Sequence, residues 1–451
     1  MDYKQILNEI KPSKEESREI LKTSDKLISY LNEVITAHAS LVGSVAKKTY
    51  LSGKSDIDIF ISFPLDMDVA QLKKTGLYLG YKCSDYFNGD ASEHYASHPY
   101  VTSQINGFEV DFVPCYKIED GSQLKSAVDR TILHTKYIKS HLEQDQNEEV
   151  LLLKRFMDMT GTYGSEFKVG GFAGYLCELL ILKYGTFENT LKEASKWRYG
   201  HTVDLEGYGT AALFNDPLIV IDPTDMNRNV GAALRLDKMA EFIQSARNYL
   251  ASNNKKEYFY PVANKFAKDE ILEEFQKRGS DVIAVKFNIP DIPLDTLHPQ
   301  LRKTTESLAE KLNDEDFSVY QSDYWSDEEN TAVLLFEMTV SRLNNTKIHY
   351  GPKVFVKRGS QNFIDKHGIE NCYILDDFVV SKISREFVTA SDFINHVLSY
   401  ENISLIKVGK NLLDNIITSY ELLSLDDLDL NNESFVTFLD DFLNPNKYLF
   451  R

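Results

Sequence analysis

The sequence has no long apolar run, few cysteines and a shortage of positive charge. None of its apolar runs approaches the roughly 20 residues that span a bilayer, which excludes a membrane-spanning helix. The N-terminus lacks a charged-then-apolar signal pattern, so we expect a cytoplasmic protein. The four cysteines, Cys83, Cys115, Cys177 and Cys372, form no Cys-x-x-Cys pair, which favours reduced thiols over a disulfide or a zinc site.

The charge balance is acidic. The chain has 68 Asp and Glu residues against 50 Lys and Arg residues, a formal net charge of −18. This balance argues against a protein that coats nucleic acid without selection, because such proteins present broad basic surfaces. It allows a selective RNA enzyme with a local basic track, whose acidic remainder suppresses indiscriminate binding.

Length and composition indicate a soluble multidomain protein. At 451 residues the chain exceeds a single hydrophobic core, so roughly two to four domains are expected. Hydrophobic residues make up 43% and charged residues 26%, as in ordinary globular proteins. The sequence has no internal repeat or low-complexity tract, which excludes a repeat array.

Local patterns predict where several elements lie. They predict helices over residues 66–85 and 123–141, an acidic linker over 143–149, and a helical tail over 391–446. Between residues 283 and 338, a strand–helix–strand–strand order indicates a small α+β module.

Two aspartates, Asp56 and Asp58, form the most informative motif. They flank Ile57 at the start of an apolar run, residues 59–63, which is typical of a strand. Side chains alternate along a strand, so both carboxylates would share one face while Ile57 points into the core. Neighbouring carboxylates repel each other, and a divalent metal, which prefers oxygen ligands, is the natural ion to lie between them.

A third carboxylate, Asp111, lies in a second predicted strand, residues 107–114. If this strand pairs with the first, three aspartates converge on a pair of metal sites. Two metals about 4 Å apart can activate an attacking hydroxyl and stabilise the leaving oxygen of a phosphoryl transfer. Gly43 and Ser44 fit this chemistry, because glycine lets the backbone approach a triphosphate and the serine hydroxyl can donate to it.

These motifs resemble those of the polymerase-beta-like nucleotidyltransferases. The ordered motifs further along resemble the archaeal, class I CCA-adding enzymes, which are tRNA nucleotidyltransferases, and the resemblance runs to about residue 300. The stretches that carry it are Val128-Asp129-Arg130-Thr131 with His134, residues 152–156, 161–164 and 171–180, and Asp222-Pro223 with Arg228.

The resemblance implies an α+β fold in three parts. Residues 1–142 would form the nucleotidyltransferase domain, with a polymerase-beta-like palm. Residues 143–254 would form a helical central domain that binds nucleotide and tRNA. Residues 255–451 would form a C-terminal α+β tRNA-binding region with a helical tail.

The resemblance also implies an activity, the untemplated addition of C, C and A to the 3′ end of tRNA from CTP and ATP with release of pyrophosphate. Asp56, Asp58 and Asp111 would be catalytic and would bind Mg²⁺, the usual ion for triphosphate chemistry. Arg228, with its planar fork of donors, would address the incoming base. The nucleotide-binding residues would be Gly43, Ser44, Lys47, Thr131, His134, Lys154, Tyr163 and Arg228.

Basic residues in the C-terminal region are candidate tRNA contacts. Lys353, Lys357 and Arg358 surround a Gly-Pro turn, and Lys410 lies at the start of a predicted tail helix. The resembled family often forms homodimers, so a homodimer is an expectation here. That family usually has an arginine where this chain has Lys47, and lysine keeps the charge but loses the bidentate fork.

Three rival functions stay open on the sequence. A poly(A) polymerase or an oligoadenylate synthase would share the aspartates, but the motifs after residue 120 argue against it. A non-catalytic RNA-binding scaffold is opposed by the three intact aspartates. An enzyme that nucleotidylates a small molecule such as an aminoglycoside would leave the long C-terminal region unexplained.

Overall fold

The computed structural model describes residues 2–34, 38–54, 56–95 and 98–451. These residues form two compact units, one made of residues 1–263 with 446–451 and the other of residues 264–445. Helices and sheets occur in both units, so the α+β class expected from the sequence is confirmed. Among the described residues, no helix is both long enough and apolar enough to cross a membrane.

The first unit contains a five-stranded sheet. Its strands are β1 (His38–Leu41), β2 (Ile57–Phe63), β3 (Asp90–Tyr95), β4 (Pro99–Ile105) and β5 (Phe108–Tyr116). Their order is β1-β2-β5-β4-β3, with β2 and β5 parallel and the other neighbours antiparallel. Helices α2 (Lys14–Val34), α3 (Gly43–Lys47) and α4 (Val69–Tyr86) accompany the sheet, whereas α1 (Lys4–Ile10) packs its buried residues into the core of the helical region of this unit.

The core under this sheet fixes the orientation of the Asp-Ile-Asp motif. Ile57, Ile59 and Ile61 are fully buried on β2 and belong to one cluster with apolar residues of α2 and α4. Burial of each such side chain is worth roughly 1.5–3 kcal/mol. A slip of one residue would turn all three away from this cluster, so the register is strongly specified and the even-numbered positions face the other side.

The rest of the first unit is mainly helical. Its helices are α5 (Arg130–His141), α6 (Gln146–Met159), α7 (Gly174–Tyr184), α8 (Phe187–Ala194) and α9 (Leu236–Ala251). Between α8 and α9 lies a small sheet of β6 (His201–Val203), β7 (Leu218–Asp222) and β8 (Asp225–Asn229), paired in that order. Aromatic rings fill the core of this region, where Phe156 makes edge-to-face contacts with Phe187 and Tyr249.

Two local predictions in this region were wrong. The helix predicted over 123–141 begins only at Arg130. The acidic stretch predicted as a linker, 143–149, is largely the first turn of α6, where Glu148 and Glu149 lie at the positive end of the helix dipole. The acidity was therefore a helix-start signal rather than a linker signal.

The second unit combines two sheets with helices. Its helices are α10 (Lys268–Arg278), α11 (Leu294–Asp314), α12 (Lys357–His367), α13 (Ala390–Val397), α14 (Leu413–Ser419) and α15 (Glu433–Leu443). Its strands are β9 (Asp281–Asn288), β10 (Ser318–Ser326), β11 (Thr331–Val340), β12 (Thr346–Lys353), β13 (Cys372–Leu375), β14 (Phe378–Ser384) and β15 (Glu421–Ser424). The sheet orders are β10-β11-β9-β15 and β12-β14-β13.

This unit confirms one local prediction and corrects another. The strand–helix–strand–strand order predicted between residues 283 and 338 is present as β9, α11, β10 and β11. The tail predicted to be helical also contains β15, which pairs antiparallel with β9. A four-residue strand is too short for its period to be recognised, and its partner is distant in the sequence.

Candidate active site

Asp58 and Asp111 face the same side of the five-stranded sheet. They lie directly opposite each other on the parallel strands β2 and β5. Their neighbours along both strands are fully buried, so alternation turns the two carboxylates away from the core. Asp56 comes just before β2, and Ser55 of the same motif lies outside the described residues.

Gly43 packs against the face that carries Asp58 and Asp111. Its φ of +69° lies in the left-handed region, and a Cβ at this position would be 1.9 Å from Asp58 Oδ2, so the position requires glycine. Ser44 follows in α3. The Gly43 N–H donates to Thr135 Oγ1 at 3.3 Å, and this hydroxyl donates to the main-chain oxygen of Thr131 at 2.8 Å. The predicted nucleotide-binding residues Gly43, Ser44 and Thr131 are thus neighbours.

The electrostatics of this face oppose negative charge. Burial, together with repulsion from Asp111 and Asp56, raises the pKa of Asp58 to about 7, and Lys47 opposes that shift. Burial also raises the pKa of Asp111 and of Asp56. The Thr102 hydroxyl donates to Asp111 Oδ1 at 2.6 Å and partly offsets the effect on Asp111. A bound cation would relieve this repulsion.

The donor chemistry of the face fits a divalent cation. Carboxylate oxygens are the ligands that Mg²⁺ prefers, and Asp58 and Asp111 supply them side by side. Over the described ranges of the chain, no three His, Cys, Asp or Glu side chains are grouped so that they could hold a metal ion as placed. Joint ligation by Asp56, Asp58 and Asp111 therefore stays a prediction.

We expect Asp58→Asn to stabilise the metal-free protein at neutral pH. Burial raises the pKa of folded Asp58 to about 7, whereas the ordinary pKa of an aspartate, which applies to the unfolded chain, is 3.8. Between these values the unfolded state binds fewer protons, so wild-type stability falls as the pH rises. The variant should gain about 1–2 kcal/mol over wild type at pH 8 and little at pH 4.

Urea unfolding in EDTA at the two pH values measures this difference. Added Mg²⁺ provides the control, because it should stabilise the wild type at pH 8 and have a smaller effect on the variant. A difference between the two proteins that does not change with pH would contradict the raised pKa of Asp58.

Two predicted phosphate-binding lysines share one buried carboxylate, Glu178 of α7, which is 1% exposed. Lys47 Nζ lies 2.6 Å from Glu178 Oε2, and the Thr49 hydroxyl donates to Oε1 at 2.5 Å. Lys154 Nζ lies 3.9 Å from Oε1 and donates to the main-chain oxygen of Thr49 at 2.7 Å. Burial lowers the pKa of Lys154, and the charge of Glu178 opposes that effect. The network joins α3, α6 and α7.

Lys154 and Tyr163 converge at the start of α7. A Cβ built on Gly174 would be 3.3 Å from Lys154 Nζ and 3.2 Å from the Tyr163 hydroxyl. Burial raises the pKa of Tyr163, so its hydroxyl keeps its proton at neutral pH and can donate. Tyr163 is half-buried and packs against the main core cluster of this unit.

A second buried carboxylate, Asp222 at the end of β7, gathers His134 and Arg228. Asp222 is fully buried, and its Oδ2 accepts from His134 Nε2 and from Arg228 Nη1, both at 2.8 Å. The His134 ring stacks on Tyr175 with centroids 3.9 Å apart. Although burial alone would raise it, hydrogen bonds from His134, Thr224 and Arg228 hold the pKa of Asp222 well below its usual range. Arg228 itself lies on β8.

A cleft of about 270 Å³ opens on the other side of Asp111. Side chains of β3, β4 and β5 line it, among them His94, Thr102 and Glu109. Because the strand order is β1-β2-β5-β4-β3, this cleft and Gly43 lie on opposite sides of the carboxylate pair. The catalytic face therefore has two distinct approaches.

The predicted tRNA contacts all lie in the second unit. Lys357 and Arg358 are exposed at the start of α12, which has no side-chain cap. Lys353 ends β12 nearby and pairs with Asp377 at 2.7 Å. Lys410 is exposed in a separate loop before α14. The structure thus brings three of the four residues into one segment.

Sequence reasoning missed Glu178, Asp222 and Tyr175 as parts of the site. Glu178 carried a signal, because it is an acidic residue within the buried run 176–181, and a buried charge requires a partner. Asp222 carried a weaker one, as an acidic residue that closes an apolar strand. The stacking of Tyr175 on His134 depends on tertiary contacts and had no local signal.

Three family models match the chain. A nucleotidyltransferase domain matches residues 18–134. The second domain of tRNA nucleotidyltransferase matches residues 148–260. The C-terminal domain of the CCA-adding enzyme matches residues 278–425.

Curated relatives match nearly the whole chain. A CCA-adding enzyme of Methanothermobacter thermautotrophicus is 48% identical over 456 residues, covering 100% of this chain and 99% of that protein. A CCA-adding enzyme of Methanosarcina acetivorans is 36% identical, covering 93% and 92%. Among solved structures, a cytoplasmic RNA terminal U-transferase aligns with a TM-score of 0.45 and 16% identity, covering 57% of this chain and 97% of that one. On its full-length identity to these relatives, the chain belongs to the CCA-adding enzymes, a family of tRNA nucleotidyltransferases.

Proposed function

We propose that the protein adds C, C and A to the 3′ end of tRNA from CTP and ATP, with Mg²⁺ held by Asp56, Asp58 and Asp111. The observation that carries this proposal is the register of Asp58 with Asp111 beside the Gly43 turn. It supports a nucleotidyl transfer because paired carboxylates lie where a triphosphate can approach the backbone.

The reaction joins the 3′ oxygen of the tRNA to the α-phosphorus of the nucleotide. The bond from that phosphorus to the bridging β-phosphate oxygen breaks, and pyrophosphate leaves. Mg²⁺ held by the aspartates would supply activation of the attacking hydroxyl and stabilisation of the leaving oxygen. Asp111 borders the cleft of about 270 Å³, so we assign that side to the tRNA end, and Asp111 would hold the ion that activates the 3′ hydroxyl.

The triphosphate would lie on the Gly43 side of the carboxylates. The Ser44 hydroxyl and the Tyr163 hydroxyl can donate to phosphate oxygens, and Lys47 and Lys154 supply positive charge. Lysine acts here as a point charge, so the geometry of the contact depends on what holds each lysine. Glu178 holds both of them.

Base choice would rest on Arg228. Cytosine and adenine each present an exocyclic amino group beside a ring nitrogen acceptor, whereas uracil and guanine present a carbonyl beside a ring N–H. An N–H of Arg228 can donate to the ring nitrogen acceptor of cytosine or adenine. In uracil or guanine the same N–H would face the ring N–H, which is also a donor, so no hydrogen bond forms there. His134 and Thr131 of α5 would contact the sugar.

Lys353, Lys357, Arg358 and Lys410 would contact phosphates of the tRNA. Positive charges at the start of a helix are unfavourable by themselves, and a bound anion would compensate for Lys357 and Arg358 at the start of α12. We expect the double variant K357E/R358E to bind tRNA at least about tenfold more weakly. Its plot of log affinity against log salt concentration should be shallower, with the magnitude of the slope smaller by about 2.

Filter binding over a range of salt concentrations measures this effect. The double variant K73E/K74E in α4 changes the total charge equally and serves as the control. Equal weakening by both pairs would assign the effect to net charge and would remove Lys357 and Arg358 from the contact.

The proposal assigns a separate function to each of three parts of the chain. Residues 1–142 would carry catalysis, residues 143–254 would bind nucleotide and tRNA, and residues 255–451 would bind tRNA. The boundary near 142 lies in the gap between two matched family models, residues 18–134 and 148–260, which supports it. A homodimer and a cytoplasmic location complete the proposal.

A primer-extension assay tests the function. The protein is incubated with Mg²⁺, all four nucleoside triphosphates and a tRNA that lacks its last three nucleotides. Addition of C, C and A followed by arrest supports the proposal. A long A tail would indicate a poly(A) polymerase, which the full-length identity to CCA-adding enzymes does not favour. Tight tRNA binding with no addition would indicate a scaffold.

A further inference from the structure

We infer that Asp222 is the positioning residue for nucleotide selection, because it fixes Arg228 and His134 in the orientation that meets the incoming nucleotide. The inference deepens the proposed function and rests on it. Asp222 does not touch the reacting atoms itself, since it lies fully buried at the end of β7.

The Asp222 carboxylate is surrounded by donors. Oδ2 accepts from His134 Nε2 and from Arg228 Nη1, both at 2.8 Å. Oδ1 accepts from the Thr224 N–H at 2.9 Å, from the Thr224 hydroxyl at 2.8 Å and from the Tyr175 hydroxyl at 3.3 Å. A carboxylate has about four lone-pair sites, so these five bonds saturate it and leave its orientation no freedom.

The fixed orientation of the Asp222 carboxylate determines in which direction the free N–H donors of Arg228 point. The side chain is 34% exposed, and its bond to Asp222 uses one of the three guanidinium nitrogens. A guanidinium is planar, so fixing one nitrogen within a charged hydrogen bond restricts the direction of the other donors. An arginine without this anchor could rotate and donate equally well to the carbonyl of uracil or guanine.

The same carboxylate determines the form of His134. Burial lowers the pKa of this histidine, so it is neutral at pH 7.5 and only one ring nitrogen carries a proton. Ionised Asp222 can only accept a hydrogen bond, so His134 Nε2 carries the proton and donates it to Asp222 Oδ2. The other ring nitrogen, Nδ1, is then an acceptor. Stacking on Tyr175 holds the ring plane. His134 then offers a fixed acceptor to a ribose hydroxyl.

A purely structural role for Asp222 makes a different prediction. The carboxylate also ties the turn between β7 and β8 to α5 and α7, so its loss would reduce stability in either case. A structural role would lower the activity with all nucleotides by the same factor. A positioning role changes the ratio between correct and incorrect nucleotides.

The test compares single-nucleotide addition by wild type and Asp222→Asn, with CTP and with UTP, on a tRNA lacking its last three nucleotides. Asparagine keeps the size but turns an amide donor toward His134 and Arg228. We expect the ratio of kcat/KM for CTP to that for UTP to fall at least about tenfold. Asp216→Asn is the control, because Asp216 accepts from Asn229 at 2.8 Å in the same small sheet and holds no site residue.

A double-mutant cycle with Arg228→Ala identifies the route of the effect. If Asp222 acts through Arg228, the loss of discrimination in the double variant should equal that of Arg228→Ala alone. Fully additive losses, or an unchanged CTP-to-UTP ratio in Asp222→Asn, would overturn the inference. If Asp222→Asn does not fold, the double variant Tyr175→Phe/Thr224→Val takes its place, because it removes two hydroxyl donors, leaves three bonds for about four lone-pair sites and should shift the ratio in the same direction by a smaller factor. An unchanged ratio in that double variant would then overturn the inference.

The result with the wild-type protein distinguishes a failure of this inference from a failure of the function on which it rests. Absence of C, C, A addition by the wild type would refute the proposed function itself. Addition by the wild type, with selectivity that is lost in Arg228→Ala but unchanged in Asp222→Asn, would refute only the role of Asp222.

Discussion

Replacing Asp111 with asparagine should abolish CCA addition while leaving tRNA binding intact. The substitution keeps the shape of the side chain and its bond from Thr102, but removes the charge that would hold the ion facing the 3′ hydroxyl. Loss of a metal-binding carboxylate removes stabilisation that the transition state needs more than the bound tRNA does. We expect kcat to fall about a thousandfold, or roughly 4 kcal/mol, with tRNA affinity changed less than about threefold.

Single-turnover addition of one CMP, beside filter binding of the same tRNA, measures both quantities. Glu109→Gln is the matched control, because it removes a carboxylate from the same face of β5 two residues away, where Glu109 pairs with Gln104 at 3.2 Å. Activity near the wild-type level in Asp111→Asn would remove Asp111 from the metal site. An equal loss in Glu109→Gln would assign the effect to the general charge of the face.

The arrangement of the catalytic face could be predicted from sequence because it depends on short-range rules. Alternation along β2 turns Asp58 away from the core once Ile57 is assigned to it. Gly43 has a φ of +69°, and a positive φ is a conformation that glycine adopts more readily than other residues, so the glycine in the sequence indicated it. Pairing of β2 with β5 was the single long-range assumption, and the register of Asp58 with Asp111 agrees with it.

The buried networks could not be predicted because they depend on partners distant in the chain. Glu178 contacts Lys47 across 131 positions, and Asp222 contacts His134 across 88. No local period specifies such pairs. Lys154 shows the consequence, since the resemblance implied that it binds the nucleotide but gave no indication of the carboxylate at its side.

Glu178→Gln should cost about 3 kcal/mol of stability, because removal of one partner leaves a buried charge without compensation. Lys154 is 2% exposed, and Glu178 is the group whose charge favours its protonated form. The control is Glu148→Gln, whose carboxylate pairs with Lys11 at 2.6 Å but is 43% exposed. An exposed pair of this kind is worth less than about 1 kcal/mol. Urea unfolding of the two variants at pH 7 gives the comparison.

The pH dependence of the stability of Glu178→Gln distinguishes two causes of its destabilisation: a buried Lys154 charge without a partner, or a packing defect. Burial already lowers the pKa of Lys154 in the folded state, and loss of Glu178 lowers it further. Above that lowered pKa the unfolded state binds more protons than the folded state, so the stability of the variant rises with pH. Its deficit relative to wild type should therefore shrink between pH 7 and pH 10, with Lys154 neutral in the folded variant at the upper end. A deficit that stays constant over this range would mean that Glu178 acts through packing and its bond from Thr49 rather than through the charge of Lys154.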